Sequence, residues 1–403
     1  MLTLWQILKW NDQQEAIMPG RLLIFNCSTD MALASGKDNY TPPPMIQSME
    51  RELELLPLWW ADDGDVVMVS DIAQAETFLR DLNERLDEMG LRTKNVCFAD
   101  WKGHLSNPSL RWSHLRPVPW GWNRDVARRC LRLGVCPELI PDHSRLEKMR
   151  QLSNRRFAVE YVGGLLSLFR RQSFAEGQID SSVLLGEEMT FVSGFQAFSD
   201  LLDAMIPDGA VILKAPWSSS GKGNLVLSGA DDSSLRWARS VLEKQGGLCV
   251  DRFYDKRLDF AMEFCVHPDA TCTFLGYSLF SADECGRYVG NMVADQYVIH
   301  DNIVASGVDS VLLDHLVRYH LQHLPQSLGT DYEGVVGIDM MVAEVDGQTR
   351  LHPCIEINLR MNMGVVALHL ANQHIVDLDL TPADHPHFRA KVKEGRFLIE
   401  KSK

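Results

Sequence analysis

The dipeptide Asp346-Gly347, between two runs of alternating apolar and polar residues, constrains the fold more than any other feature of the sequence. A type I′ turn needs positive φ at both central residues, and Asp-Gly is among its strongest signals. The flanking runs are "GVVGIDMMVAEV" (334–345) and "RLHPCIEINLR" (350–360). The sequence therefore predicts an antiparallel hairpin on either side of this turn.

The register of this hairpin brings polar side chains together. Pairing the residues next to the turn and counting back sets Asp339 opposite Cys354, which makes Asp339 and Glu356 diagonal neighbours at about 7–8 Å. Alternation places the polar residues of the second strand on the face of Asp339; they are Glu356, Asn358 and Arg360. Two carboxylates and an amide oxygen suit Mg²⁺. The alternative is a solvated sheet face, although opposed acids without an intervening lysine destabilise a sheet.

Composition and charge restrict the class of protein. A chain of 403 residues is long for one core, so two or three packed units are expected. The net charge of -14 repels a nucleic-acid backbone, and no apolar run approaches the roughly 20 residues that span a bilayer. We therefore expect neither nucleic acid nor membrane as a partner. The nine cysteines contain no CxxC pair, and the N-terminus has no small-residue cleavage site, so a cytoplasmic protein with reduced thiols is predicted.

The first part of the chain has the pattern of a parallel α/β unit. "RLLIFN" (21–26), "GDVVMVSD" (64–71) and "KNVCFAD" (94–100) have the form of buried strands, and residues 72–90 predict a helix that ends at Gly90. The segment "RPVPWGW" (116–122) is predicted to be an exit loop. An N-terminal α/β domain is therefore expected over residues 1–122, with the place of residues 1–17 left open.

Helices and then short strands are predicted for the remainder. "NRDVARRCLRLG" (123–134) predicts one helix, and residues 143–172 predict a single long amphipathic helix. From about residue 189 onward, short apolar runs predict strands. Among the best defined are "DFAMEFCV" (259–266) and "TCTFLGYSLF" (271–280). The second part of the chain is therefore expected to be rich in β structure.

The stretch "VILKAPWSSSGKGNLVL" (211–227) predicts a strand, a loop of small residues and a strand. It is not a Walker A loop, because Pro216 stands where glycine is required and Gly223 follows Lys222. Backbone N–H groups of such a loop can surround phosphates, with Lys214 and Lys222 supplying positive charge. The alternative is a flexible turn without a ligand.

A third stretch, "GLCVDRFYDKRLDFAMEF" (247–264), joins two apolar strands by a charged link. The backbone of such a link can hold adenine, and an acidic side chain beyond it can reach ribose hydroxyls. Asp251 and Asp259 are the candidates for that acid. The alternative is that both are ordinary surface acids.

In this order, the motifs resemble those of the ATP-grasp superfamily, which includes carboxylate–amine ligases, biotin carboxylase and carbamoyl-phosphate synthetase. The most specific element is Asp339 followed by Glu356-x-Asn358, which is similar to the metal-binding acid and E-x-N motif of the family. The resemblance covers roughly residues 125–375. It implies an α/β (α+β) protein with an N-terminal parallel α/β domain, followed by an ATP-grasp module over residues 123–403 with a smaller lid subdomain at about 180–250.

The resemblance also implies roles for individual residues. Those matched to the nucleotide site are Arg155, Lys214, Ser219, Ser220, Gly221, Lys222, Gly223, Asp251, Arg252, Phe253 and Asp259. Those matched to the ligands of Mg²⁺, with Mn²⁺ as the alternative ion, are Asp339, Glu356 and Asn358. Arg360, and Arg287 in "DECGRYVGN", are expected to steady an anionic substrate or intermediate. Arg155 stands where the family has a lysine, and the loop has three serines where glycines are frequent.

The implied function is an ATP- and Mg²⁺-dependent ligase that activates a carboxylate as an acylphosphate and joins it to an amine. The expected substrates are a small-molecule or peptide carboxylate and an amine acceptor. The acceptor site is expected near Asp30, Asn39 and Tyr40. Two alternatives are a nucleotide-binding regulatory or scaffold protein without turnover and an ATP-grasp phosphotransferase. A homodimer is left open.

Overall fold

The first strands form a four-stranded parallel sheet, as their sequence pattern predicts. In the computed structural model, residues 20–176, 181–218, 223–229, 231–282 and 288–401 are described. Strands β1 to β4 are Gly20–Ile24, Val66–Val69, Cys97–Asp100 and Leu115–Pro119. The sheet order is β3-β2-β1-β4, and every pairing in it is parallel. The three predicted strands and the predicted α/β class are confirmed.

β4 corrects the prediction of a loop over residues 116–122. Pro117 and Pro119 have no backbone N–H, so the segment lacks donors that a central strand needs. β4 is an edge strand, however, where proline is tolerated because alternate backbone groups face away from the ladder. Leu115, Pro117 and Pro119 are buried and the residues between them are half-buried, which is the alternation of an edge strand on a core.

Two of the four helices in this region begin at a side chain that caps them. Helices α1 to α4 are Thr29–Ser35, Pro44–Glu52, Ile72–Glu88 and Arg124–Arg132. The side chain of Asp71 caps α3 by accepting a hydrogen bond from Gln74 N, and Asn123 caps α4 in the same way through Val126 N. Gly90 follows α3 with a φ of 68°, a conformation that glycine adopts without strain. Both predicted helices are confirmed.

The predicted long helix over residues 143–172 is two helices, α5 (His143–Leu152) and α6 (Arg155–Glu176). Asn154 separates them, because its Oδ1 accepts a hydrogen bond from Arg156 N at 2.8 Å and so starts a new helix. Arg155 N donates to Pro216 O at 3.0 Å instead of continuing α5. The prediction of one helix is wrong, and the break places Arg155 in the first turn of α6.

A small antiparallel sheet follows, with two helices packed on it. Strands β5 to β8 are Thr190–Val192, Val211–Lys214, Asn224–Leu227 and Leu248–Arg252, and helices α7 and α8 are Phe195–Met205 and Asp232–Gln245. The sheet order is β5-β8-β6-β7. Its core joins Phe198 and Ala238 of the helices to Leu213 and Val250 of the strands. The assignment of residues 180–250 to a lid subdomain remains a prediction.

A larger antiparallel arrangement contains the predicted hairpin. Strands β9 to β13 are Asp255–Val266, Cys272–Ala282, Tyr288–Met292, Gly334–Val345 and Gln348–Asn358, and helices α9 and α10 are Gln296–Ala305 and Ser310–Leu328. Four of these strands lie in the order β13-β12-β9-β10. The strands predicted over residues 259–266, 271–280, 334–345 and 350–360 are confirmed, with small differences at their ends.

The described chain divides into two compact units. One consists of the residues up to Lys148, Gly290–Asp295 and the residues from Arg360 on, and the other of Met149–Val289 and Gln296–Leu359. The first unit also holds helix α11 (Met363–Asn372) and strands β14 to β16, which are Leu378–Asp379, Phe388–Lys393 and Arg396–Lys401. The predicted domain boundary at residues 122 and 123 remains a prediction.

Two further observations concern the described residues as a whole. None of their helices is both long and apolar enough to cross a membrane. The cysteines among them are free thiols, at positions 27, 97, 130, 136, 249, 265, 272 and 354.

The hairpin contains an irregularity that changes its register. The residues next to the turn pair as predicted, but Asp339 pairs with Glu356 and not with Cys354. The ladder shifts between Asp339 and Met341, and the facing stretch of β13 contains Pro353. Proline cannot donate to a ladder and is found at bulges and edge strands, so it explains the shift. The two carboxylates are therefore direct neighbours, and the predicted diagonal arrangement is wrong.

Replacement of Gly347 by valine tests the turn. Asp346 and Gly347 have φ values of 52° and 72°, and a Cβ on Gly347 would meet no atom within 4 Å. The only cost of valine there is the strain of its backbone in the left-handed conformation. We therefore expect the free energy of unfolding in urea to fall by about 1–2 kcal/mol. Gly229→Val is the control, because its Cβ also meets nothing and its φ is not in that region. An equal fall in the free energy of unfolding for the two variants would contradict the turn geometry.

Candidate functional site

The hairpin brings together the three residues predicted to bind metal. Asp339 on β12 pairs directly with Glu356 on β13, and Asn358 lies opposite Gly337. Asn358 Nδ2 donates to Asp339 Oδ2 at 3.1 Å. All three polar side chains are half-buried. Carboxylates that directly face each other repel, so this part of the sheet needs positive charge nearby.

Arg155 supplies that charge. Its side chain is 5% exposed, and Nη2 donates to Glu356 Oε2 at 2.9 Å. Nη1 donates to Ser218 Oγ at 2.7 Å and also to Ala215 O. One guanidinium thus connects a predicted metal ligand with the loop that follows β6. This contact was not predicted, because it depends on the helix break that places Arg155 at the start of α6.

Lys214 and Asp251 form a buried ion pair between neighbouring strands of the small sheet. Lys214 Nζ lies 3.1 Å from Asp251 Oδ2, and the two side chains are 6% and 3% exposed. Asp251 Oδ1 accepts a hydrogen bond from Arg252 N at 2.9 Å. Burial alone would raise the pKa of Asp251, but Lys214 and the nearby His352 hold it well below its ordinary range. Asp251 is therefore a carboxylate at neutral pH.

The other residues of the predicted adenine link have separate environments. Arg252 forms a bidentate contact with Glu188, at 2.9 Å from Nε and 3.0 Å from Nη2. Phe253 is 48% exposed, and its backbone N–H donates to Ala210 O. Asp259 lies on β9 and contacts Lys256 Nζ. Burial raises the pKa of Asp259, and the contact with Lys256 opposes this rise.

Part of the predicted phosphate loop is described. Ala215 N donates to Gly223 O at 2.8 Å, so the two ends of the loop are bonded to each other. A Cβ at Gly223 would collide with the Ser218 side chain, which requires glycine there. The predicted site residues Ser219, Ser220, Gly221, Lys222 and Arg287 lie outside the described residues.

Arg360 lies in the first unit together with a predicted acceptor residue. Its Nε donates to Asp30 Oδ2 at 2.9 Å, and both side chains are largely buried. Asn39 is exposed and Tyr40 is half-buried. Burial, together with the carboxylate of Glu50, raises the pKa of Tyr40. The structure thus joins Arg360 to Asp30, and it places Glu50, which was not predicted, within electrostatic range of Tyr40.

The donor set on the hairpin fits a magnesium ion. Two carboxylates and an amide oxygen are hard oxygen donors, which Mg²⁺ prefers, and water and phosphate can complete its octahedron. In the described ranges, no group of three His, Cys, Asp or Glu side chains could hold a metal ion. The candidate ligands here are two acids and one amide.

The order of these features is the one that the ATP-grasp resemblance implies. A parallel α/β unit comes first, then a small antiparallel sheet in which β6 ends at Lys214, and then a hairpin that carries Asp339 and Glu356. The mixed α/β architecture predicted from the sequence is confirmed, and the ATP-grasp assignment stays a prediction.

Comparisons with known proteins give distant structural similarities. No protein-family model and no curated protein matches the sequence. N5-carboxyaminoimidazole synthetase from Staphylococcus aureus is 8% identical, with 95% of this chain and 93% of that chain covered and a TM-score of 0.42. D-alanyl-alanine synthetase A from Vibrio cholerae is 9% identical, with 86% and 90% covered and a TM-score of 0.42.

A third similarity covers less of both chains. The biotin carboxylase domain of the 2-oxoglutarate carboxylase from Hydrogenobacter thermophilus is 11% identical, with a TM-score of 0.31. The match spans 46% of this chain and 41% of that one. Because all three similarities are distant, the function proposed below rests on the residues of this chain.

Replacement of Asp251 by asparagine tests the buried ion pair. The change leaves the Lys214 ammonium buried without a counter-charge, so we expect the free energy of unfolding at neutral pH to fall by about 3–5 kcal/mol. Because the pKa of Asp251 is depressed in the folded protein, the stabilisation is present above the unfolded pKa of about 4 and is lost as the pH falls below it.

The control is Asp63→Asn, which removes a surface ion pair. Arg92 Nη2 and Asp63 Oδ2 are 2.7 Å apart, and their side chains are 63% and 53% exposed. Such a pair contributes less than about 1 kcal/mol. If the free energy of unfolding falls by the same small amount in both variants, the buried pair does not stabilise the small sheet as described.

Proposed function

We propose that the protein is an ATP- and Mg²⁺-dependent ligase that activates a carboxylate as an acylphosphate and joins it to an amine. The observation that carries this proposal is the direct pairing of Asp339 with Glu356, with Asn358 bonded to Asp339. Opposed acids on a sheet are costly unless a cation lies between or beside them. Mn²⁺ is the alternative ion.

The charged residues of the second unit have complementary roles in this proposal. Asp339, Glu356 and Asn358 hold the metal ion, which when bound offsets the charge of the β- and γ-phosphates. Lys214 and the loop over residues 215–223 bind the phosphates. Arg155 already contacts both that loop and Glu356, so it is placed to add a second positive charge. Arginine in place of lysine offers a planar, bidentate contact to phosphate.

The remaining residues position the other parts of the substrates. The link formed by Asp251, Arg252 and Phe253 holds the base, and Asp259 binds the ribose. Arg360, with Arg287, steadies the acyl oxygen that becomes negative during transfer. Its contact with Asp30 fixes the direction of the guanidinium. We place the second substrate near Asp30, Asn39 and Tyr40.

The reaction has two steps. A carboxylate oxygen of the substrate attacks the γ-phosphorus of ATP, the bond to the β-phosphate oxygen breaks, and ADP leaves with that electron pair. The amine nitrogen then attacks the acyl carbon, and the carbon–oxygen bond to phosphate breaks. Phosphate leaves and the nitrogen loses a proton. The protein contributes orientation and charge neutralisation and forms no covalent bond to the substrate.

Glu356→Gln tests the metal assignment. The change keeps the shape of the side chain but removes one negative charge, so we expect Mg²⁺-dependent ATP turnover to fall by about 100-fold or more, with the fold retained by circular dichroism. Glu344→Gln is the matched control, since Glu344 lies on the neighbouring strand β12, opposite Thr349 and next to the turn. Full activity of Glu356→Gln would overturn the assignment.

A substrate panel tests the reaction class. ADP release is measured with ATP, Mg²⁺ and a series of amino acids and small carboxylates, with hydroxylamine as the trapping nucleophile. An acylphosphate reacts with hydroxylamine to give a hydroxamate, whereas a phosphate ester does not, so hydroxamate formation is the expected result. ADP release without hydroxamate would indicate a phosphotransferase. Nucleotide binding without turnover across the panel would indicate a regulatory protein.

A further inference from the structure

A fully buried histidine lies beside the Lys214–Asp251 pair. The side chain of His352 is 0% exposed, and its Nε2 lies 3.4 Å from Asp251 Oδ2. The same oxygen lies 3.1 Å from Lys214 Nζ. One carboxylate oxygen therefore faces both a lysine and a histidine in the interior of the second unit.

The imidazole ring of His352 is enclosed by its neighbours. The ring of Tyr254 meets it edge-on, with the centroids 6.5 Å apart and an interplanar angle of 67°. A Cβ on Gly186 would lie 3.0 Å from the ring atom Cε1, so the backbone of residue 186 packs closely against the ring. Leu185 N donates to Leu351 O at 2.8 Å and fixes the strand next to His352. The ring has little room to turn away from Asp251.

Burial of this ring is not explained by hydrogen bonds. Within the described chain, neither Nδ1 nor Nε2 of His352 makes a hydrogen bond of normal geometry. The contact with Asp251, at 3.4 Å, is an electrostatic contact longer than an ordinary N–H···O bond. Burying a polar group without such a bond removes its hydration without compensation, a free-energy cost that an apolar side chain would avoid. Stability alone therefore does not account for a histidine at this position.

His352 also connects two parts of the proposed nucleotide site. It lies on β13, the strand that carries Glu356 and Asn358, whereas Asp251 lies on β8 of the small sheet. The bulge at Pro353 separates His352 from the two metal ligands along that strand. His352 therefore contacts Asp251, which is proposed to hold the base, and lies on β13, which carries two of the proposed metal ligands.

We propose that His352 is a positioning residue of the nucleotide site, an inference that rests on the function proposed above. Its ring holds the shared oxygen of Asp251, and through that oxygen the ammonium of Lys214, in the orientation that binds a nucleoside phosphate. It takes no part in phosphoryl transfer. Without the imidazole, Asp251 and Lys214 can move into the vacated space, so nucleotide binding weakens more than turnover at saturating ATP.

Two substitutions of His352 test this role in the full-length protein, with ADP as the probe in isothermal titration calorimetry. His352→Leu removes the polar ring, and we expect its Kd for ADP to rise about tenfold or more. His352→Gln places an amide nitrogen near the position of Nε2, and we expect a rise of no more than about threefold. In the ATPase assay, KM for ATP should rise in His352→Leu while kcat stays within about twofold.

His320→Gln is the matched control. His320 is also 0% exposed, but its Nδ1 contacts Tyr161 OH at 3.0 Å, and burial lowers its pKa to about 3. We expect this variant to lose stability and to bind ADP within about twofold of the wild type. Thermal unfolding without ADP is recorded for every variant. If His352→Leu does not fold, His352→Met replaces it, because the flexible methionine side chain adapts to the same space.

The outcomes separate the two proposals. If the wild type binds ADP and the folded apolar variant binds it equally well, the role of His352 is overturned and the proposed function stands. The role is also overturned if His352→Gln binds as weakly as the apolar variant, or if His320→Gln weakens binding by the same factor. A wild-type protein that binds no nucleotide overturns the proposed function, and the role of His352 with it.

Discussion

The repulsion between two carboxylates that face each other on one hairpin is the constraint around which the second unit is organised. Asp339 accepts a hydrogen bond from Asn358, and Glu356 accepts one from Arg155. Arg155 reaches Glu356 from the first turn of a helix that starts at Asn154, and its backbone N–H donates to Pro216 O. The helix break, the loop after β6 and the hairpin therefore depend on one another through a single guanidinium.

In the small sheet, too, a buried carboxylate lies beside a positively charged side chain. Lys214 and Asp251 are both buried, and burying an ion pair costs free energy that a pair of apolar residues would not. Their placement beside His352, on the strand that also carries Glu356, concentrates ionisable groups in one region of the second unit. In the function proposed above, the negative charge on the hairpin would receive a metal ion, and the positive charge of Lys214 and Arg155 would receive phosphates.

The sequence predicted the elements whose signals lie within a few residues. It did not predict features that depend on the position of a strand in its sheet or on how strands pair. Three strands of the parallel sheet, the helices α3 and α4 and the turn at Asp346-Gly347 were predicted. β4 was missed because its prolines are compatible with a strand only at a sheet edge, and no local pattern reveals the edge. The hairpin register was wrong because ideal pairing was extended through Pro353, although proline in a strand is itself a signal of a bulge.

The sequence by itself determined the fold class, the hairpin and the candidate metal ligands, because periodicity, turn residues and alternation act over a few residues. Only the tertiary structure decided which charges meet. Arg155 and Glu356 are 201 positions apart in the chain, and Asp30 and Arg360 are 330 apart. No sequence pattern singled out His352, because its proposed role depends on a contact with Asp251, which lies on a different sheet. Such contacts follow from how whole elements pack, and packing depends on all of their side chains at once.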